Sequence, residues 1–366
     1  MKFIRPRWRK VIRDLWSNKS RTALVIMAIA VGIFAVGVVS GSQETVTRVL
    51  NESYTSTNPP SGTVRVAGSF DDDLVATING MREVEVAEGR IDTSLRYKLS
   101  STGEWEQITI MVADDFAEGE IAKISGEAGE WPPPEKTLVV ERASLDMMGV
   151  DIGDTVLVEA SAGRIREMKI AGTAHDLSGR PAALTGQPNG FVTRDTLEWL
   201  GGSRNFNQLL FIVAENKTDV NHIEDVGGLI EDKFQNEGLI VPFVEIPTPG
   251  EHPINDVLEP LLLILTALSG LSLILSGLLV VNTISAMLAQ QTRQIGMMKA
   301  IGARRGQIMA LFFVMVFIYG FLALLIALPL GAIGAYALTT FLLDFFNTDL
   351  VTFSIPTSVL ALQVAI

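Results

Sequence analysis

The side chains best suited to chemistry are scattered. The three histidines, His175, His222 and His252, lie far apart in the sequence. His175 precedes Asp176, a pair that could bind a metal or exchange a proton, but a loop histidine beside an aspartate is more often simply hydrated. Asp71-Asp72-Asp73 could hold calcium loosely, yet it lacks the spaced ligands of an EF-hand loop. An acidic helix start, where negative charge offsets the helix dipole, is the simpler account. No Gly-x-x-x-x-Gly-Lys-Ser/Thr pattern occurs, so the chain does not bind ATP by that route, and Gly163-Arg164-Ile165-Arg166 is not a phosphate cradle. The absence of cysteine excludes thiol catalysis, thiolate metal sites and disulfides. No catalytic residue, metal ligand or cofactor site is assigned.

What the sequence builds instead is a membrane framework. Thr22 to Val39 carries no charge, the lower end of what crosses about 30 Å of hydrocarbon. A cleaved signal peptide is disfavoured by the long leading segment and by the lack of a small-x-small site at Ser40–Gln43. Pro260 to Thr292 is uncharged, and Leu261–Val281 is almost wholly apolar. Ile308 to Leu343 is uncharged too, with Gly331 and Gly334 among many alanines, residues that let helices approach closely in lipid. Both runs are too long and too evenly apolar for buried core helices. The apolar tail Thr357–Ile366 reads as the opening turns of a fourth span, cut short.

Charge sets the expected orientation. Residues 1–21 hold eight Lys/Arg and one acid, Asp14, and the loop 289–307 holds Arg293, Lys299, Arg304 and Arg305 with no acid. Residues 42–256 hold seventeen Lys/Arg against thirty-seven Asp/Glu. The positive-inside rule places the N-terminus and the 289–307 loop in the cytoplasm and 42–256 outside, in the cell membrane. Anionic lipid beside a span explains the basic leader without nucleic acid. Trp8, Val11, Ile12, Leu15 and Trp16 share one helical face, which suits a helix lying in the membrane interface. A disordered basic leader is the alternative.

The expected fold class is an α-helical integral membrane protein with a mixed α+β extracytoplasmic domain and at least three transmembrane helices. The expected divisions are a cytoplasmic amphipathic helix (1–21), a first transmembrane helix (22–41), the outside domain (42–256) and a multi-span block (257–366). In the outside domain, strands are expected at Thr63–Ala67, Gln107–Val112, Lys136–Val140, Phe191–Thr193 and Leu209–Ala214. A hairpin is expected at Asp154–Ala160 and Arg166–Gly172 around Ala162-Gly163. Asp71–Gly80, Ser144–Met148 and the amphipathic Val220–Gln235 read as helices. Trp131-Pro132-Pro133-Pro134 reads as a rigid extended connector, and Pro242 to Pro253 as a Pro-rich return to the membrane.

The most informative stretch runs from Val281 to Ile308. Asn282, the run Gln291-Thr292-Arg293-Gln294-Ile295-Gly296, then Lys299 and Gly302-Ala303 resemble the cytoplasmic signature of MacB/FtsX-like ABC transporter permeases. The segment Asp14-Leu15-Trp16-Ser17-Asn18-Lys19-Ser20-Arg21-Thr22 resembles the start of that family's first span. The order of one span, a large outside domain and a multi-span block is likewise similar, and the outside domain is similar to the MacB-type periplasmic core by position. The resemblance implies a permease subunit without hydrolytic chemistry, paired with a cytoplasmic ABC ATPase. It also implies a dimer with a second permease copy or homologue, export or mechanotransmission as the work, and an extracytoplasmic partner protein as an option. It assigns ATPase coupling to Arg293, Gln294, Ile295, Gly296, Met298, Lys299, Ile301, Gly302, Ala303 and Arg304. Met297, Met298 and Ile301 would offer an adaptable apolar face, seated as a short helix over Arg293–Arg304. The rival is a membrane-anchored extracytoplasmic sensor or receptor. Such a protein usually runs from its second span into a signalling domain, whereas here a short loop leads to a third span.

Overall fold

The computed structural model describes residue 16 and residues 19–114, 116–350 and 352–366. The interfacial face of Trp8, Val11, Ile12 and Leu15 lies outside the described residues. Trp16 of that face is exposed, with the Lys19 ammonium 4.8 Å from its ring centre. The chain forms two compact bodies. One takes the described residues up to Arg48, Asp256–Leu342 and Leu350–Ile366; the other takes Val49–Asn255 together with Leu343–Asp349.

The first helix, α1 (Lys19–Ser56), runs well past the charge-free segment. Its last turns belong to the second body, where Val49, Leu50 and Tyr54 are buried. The chain continues through β1 (Gly62–Phe70), α2 (Asp72–Asn79), β2 (Val84–Lys98), β3 (Glu106–Ala113), β4 (Ser125–Gly129) and β5 (Thr137–Glu141). It then passes α3 (Arg142–Met148), β6 (Thr155–Glu159), β7 (Ile165–His175), α4 (Ala182–Thr185), β8 (Asn189–Thr193), α5 (Arg194–Trp199), β9 (Phe206–Val213), α6 (Val220–Asn236) and β10 (Ile240–Glu245). The strands make a mixed sheet in the order β10-β1-β9-β2-β3-β8-β5-β7-β4, with β6 bridging β2 and β7.

The expected strands and helices of this α+β body are present, including the β6–β7 hairpin, whose register runs from Thr155↔Lys169 to Glu159↔Ile165. The elements β2, β4, β10, α4 and α5 go beyond the sequence expectation. Strand β2 is the spine of the sheet. Its first half pairs with β9 (Val84↔Val213 to Arg90↔Gln208) and its second half with β3 (Ile91↔Val112 to Tyr97↔Glu106). At the changeover sits Gly89, where any side chain would collide with the Phe206 ring. The Pro-rich return from Pro242 begins within an edge strand, Ile240–Glu245, paired with β1. Pro242 is tolerated there because an edge position leaves one row of N–H groups unused. One face of the sheet is covered by α2 and α6, whose Leu74, Ile78, Ile223, Val226, Ile230 and Phe234 enter the main core with Phe70 and Phe206.

The other body is helical: α7 (Asn255–Gln290), α8 (Thr292–Ala300), α9 (Arg305–Phe345) and α10 (Thr357–Ala365) join the N-terminal part of α1. The helices α1, α7 and α9 are long and apolar enough to cross a membrane. Small residues let them approach closely. Gly32 faces Ser276, Gly41 faces Ala335 and Gly334 faces Val38. Polar groups between them find partners. The Ser276 hydroxyl donates to the Ala28 carbonyl, and Thr339 meets Ser42 at 3.3 Å. The buried Gln363 amide fills the space over Gly37 and donates to the Ile33 carbonyl at 3.4 Å.

Candidate functional site

Two regions merit a functional reading, one in each body. The first is the segment between the second and third long helices. Helix α7 ends at Gln290, and α8 occupies Thr292–Ala300. The short helix is stopped by Gly302 at φ +96°, a left-handed conformation that favours glycine. The Gly302 N–H closes the end by donating to the Lys299 carbonyl (3.0 Å), and the Ala303 N–H by donating to the Met298 carbonyl (3.0 Å). At the start of α9, the Arg304 N–H donates to Gln307 Oε1 (3.1 Å) while the Gln307 N–H returns to the Arg304 carbonyl (2.9 Å), a reciprocal cap.

Exposure separates the candidate contact residues. Ile301 is 88% exposed and Met297 52%, one turn apart on the same side. Arg293, Gln294, Gly296, Lys299, Gly302 and Arg304 are exposed as well, whereas Ile295, Met298 and Ala303 are half-buried. The apolar groups best placed to meet a partner are therefore Met297 and Ile301. Among the described residues, Arg293, Lys299, Arg304 and Arg305 show no ion pair. A large exposed isoleucine among such cations is suited to an acidic surface with an apolar pocket.

The second region is a polar collar in the α+β body, and it gathers five distant stretches of chain: 51–54, 141–142, 175–177, 252–255 and 343–349. From the end of α1, Asn51 Oδ1 accepts from the His252 N–H (2.9 Å) and from Asn255 Nδ2 (3.0 Å). The Tyr54 ring lies 5.0 Å from the His252 ring. His252 Nε2 is 3.0 Å from the Leu177 carbonyl, and its Nδ1 accepts from the Ile254 N–H (3.0 Å). Burial holds the His252 imidazole below its ordinary pKa.

Residues 343–349, the last turn of α9 and the chain leaving it, close the collar through Asn347. Its Oδ1 accepts from Arg142 Nε (2.8 Å), and its carbonyl accepts from Arg142 Nη2 (3.2 Å) and lies 2.7 Å from His175 Nε2. Its Nδ2 donates to Glu141, which is buried at the junction of β5 and α3. Arg142 also pairs with Asp349 (2.8 Å) and Glu127 (3.3 Å). Burial pushes the Glu141 carboxyl up to about 7, against the opposing pull of its bonds from Asn347 and the Ala143 N–H.

The sequence neighbours His175 and Asp176 serve different partners. Asp176 Oδ1 accepts from the Ser178 N–H, the Ser178 hydroxyl and the Gly179 N–H, folding its own loop. The acidic triplet is divided too: Asp71 caps α2 by accepting from the Leu74 N–H (3.2 Å), and Asp72 pairs with Arg194 (3.0 Å). Among the described residues no three acids or histidines converge to hold a metal. A cavity of about 590 Å³ lies on the polar face of the sheet. Of its charges, Arg65 pairs with Asp92 (3.3 Å) and Glu245 (3.7 Å).

None of the collar residues Asn51, Glu141, Arg142 or Asn347 stands out in the sequence. Each is an ordinary polar residue, and no spacing links positions as distant as 51, 141 and 347.

A search of curated proteins returned no match. Among solved structures, the extracellular domain of the noncanonic ABC-type transporter YknZ from Gram-positive bacteria is 12% identical, with a TM-score of 0.35, covering 51% of this chain and 98% of that one. The periplasmic region of MacB from Actinobacillus actinomycetemcomitans is 9% identical, with a TM-score of 0.36, covering 58% and 96%. The model of the FtsX-like permease C-terminal family matches residues 266–366, which contain most of α7 and all of α8, α9 and α10. The chain is a membrane protein, and its residues 266–366 match the FtsX-like permease C-terminal family.

Proposed function

We propose that this chain is the permease subunit of an ABC transporter. An ATPase in the cytoplasm seats the face formed by Met297 and Ile301, and its cycle moves the long helices. The α+β domain outside the cytoplasm receives that movement. The observation that carries this reading is the family match over 266–366, within which lies a helix end whose Ile301 is 88% exposed. The route to the domain is covalent: α1 runs on into Val49–Ser56, Asn255 opens α7, and residues 343–349 end α9 and lead out of it. A second permease copy completes the membrane unit, and the ATP chemistry belongs to the partner.

Orientation is testable because the chain has no cysteine. Single cysteines at Ser101, Ser203 and Gln307, all exposed, provide reporters. An impermeant thiol reagent applied to the outer face should label the first two and spare the third; strong labelling at Gln307 overturns the orientation. The partner is tested by purifying the full chain from its native membrane. An ABC-type ATPase, recognised by peptides bearing Walker motifs, should accompany it in stoichiometric amount. Recovery of the chain without any such protein would sink the permease-subunit reading.

A further inference from the structure

We infer that residues 343–349 are held on the α+β domain by a proton-operated latch, closed when Glu141 carries a proton and loosened when it is ionised. The inference rests on the proposed transmission role, because the latched segment is the end of the third long helix and the chain that follows it.

The geometry converges on one side chain. Asn347 is nine-tenths buried and uses its side-chain oxygen, side-chain nitrogen and carbonyl on the domain, through Arg142, Glu141 and His175. Glu141 is 3% exposed, and its other oxygen accepts from the Ala143 N–H at the start of α3 (2.8 Å). Without Asn347 in place, the polar groups of Glu141, Arg142 and His175 would need water instead, so release of the segment hydrates Glu141.

Charge around Glu141 comes from every element packed there. Arg142 follows it on α3, Glu127 lies on β4, His175 ends β7 and Asp176 begins the next loop. Residues 343–349 themselves bring Asp344 and Asp349. Arg142 is already shared between Asp349 and Glu127, so it is not a dedicated counter-ion for Glu141. Asp176 adds a like charge nearby. Ionised Glu141 in the closed latch is therefore a buried charge with incomplete compensation.

The direction follows by linkage. Closed, the carboxyl takes up its proton from solvent near pH 7; hydrated, it would fall back toward the ordinary value of 4.5. The closed form binds the proton more tightly, so closure is favoured below the hydrated value and weakened as pH rises through about 7. His175 Nδ1 lies 3.9 Å from Asp349, so the contributions of Glu141 and His175 must be separated experimentally.

The test is hydrogen–deuterium exchange of the full chain in lipid nanodiscs at pH 5.5 and 8.0, corrected for intrinsic exchange. In the wild type, protection of 343–349 should fall on the order of tenfold between the two values. Glu141→Gln should make protection the same at both, and His175→Gln should keep the pH dependence. Asn347→Ala should be unprotected at both. Peptides of β1 and β9 control for the fold in each variant. Constant protection in the wild type, or an undiminished pH dependence in Glu141→Gln, overturns the latch. Its failure would leave ATPase co-purification intact, whereas absence of the ATPase would leave this exchange measurement standing.

Discussion

Replacing Met297 and Ile301 with aspartate should abolish retention of the ATPase while the chain still inserts into the membrane. Both side chains are more than half exposed and lie one turn apart at the end of α8. Each apolar anchor buried at an interface could contribute about 1.5–3 kcal/mol. Losing two and placing two unpaired carboxylates in the pocket would therefore cost several orders of magnitude in affinity. Insertion should survive, because Arg293, Lys299, Arg304 and Arg305, the charges from which the orientation is proposed, are untouched. The pair Ile295→Asp, Met298→Asp is less diagnostic, since both residues are half-buried and the change would also disturb the helix's own packing. Arg304→Gln with Arg305→Gln should weaken association less, because rim charges tune rate and specificity more than affinity. Co-purification with insertion checked in parallel decides the matter. Normal insertion with full ATPase retention in the Met297→Asp, Ile301→Asp protein would reduce the segment to a topological marker.

How much of this is legible in the sequence depends on how local the signal is. The long helices are plain because a charge-free run of that length does not suit an exposed surface element. The buried strands Thr137–Glu141 and Phe206–Val213 are legible from their apolar, β-branched content. Strand β2, Val-Glu-Val-Ala-Glu-Gly-Arg-Ile-Asp-Thr-Ser-Leu-Arg-Tyr-Lys, is not, because it changes partners midway and its charges hide the alternation. Strand β4, Ser-Gly-Glu-Ala-Gly, offers no large apolar side chain, since it is an exposed edge. Pro242 conceals β10 by the rule that prolines break strands, a rule the edge relaxes. The segment between α7 and α9 is legible as a motif, but the choice of Met297 over Met298 as its outward side chain emerges only from the fold. The collar is illegible, because Asn51, Glu141, His252 and Asn347 find their partners only after folding.

Stripping both carboxylates from Arg194 should destabilise the α+β body more than removing the arginine itself. Arg194 opens α5 with its side chain only 6% exposed, while its partners Asp72 and Asp114 are 67% and 53% exposed. The guanidinium also lies 4.3 Å from the centre of the Phe206 ring. The asymmetry of burial decides the outcome. In Arg194→Met, the two aspartates simply hydrate, and the new side chain keeps the contact with Phe206; the cost should be about 1 kcal/mol. In Asp72→Ala with Asp114→Ala, a buried cation loses both counter-charges, and the cost should be about 3 kcal/mol. For a body of this size that corresponds to a fall in Tm of roughly 6–12 °C. The triple variant should recover most of the loss, since no buried charge remains. The same pairing gives an acid limb. The hydrogen bond from Arg194 holds Asp72 below the usual carboxylate range, so its contribution is present above that range and is lost as pH falls through the depressed value. Thermal unfolding of the solubilised full chain, followed by tryptophan fluorescence, ranks the three variants. If Arg194→Met proves the most damaging, or the triple variant is no better than the double, the arginine acts through packing rather than charge.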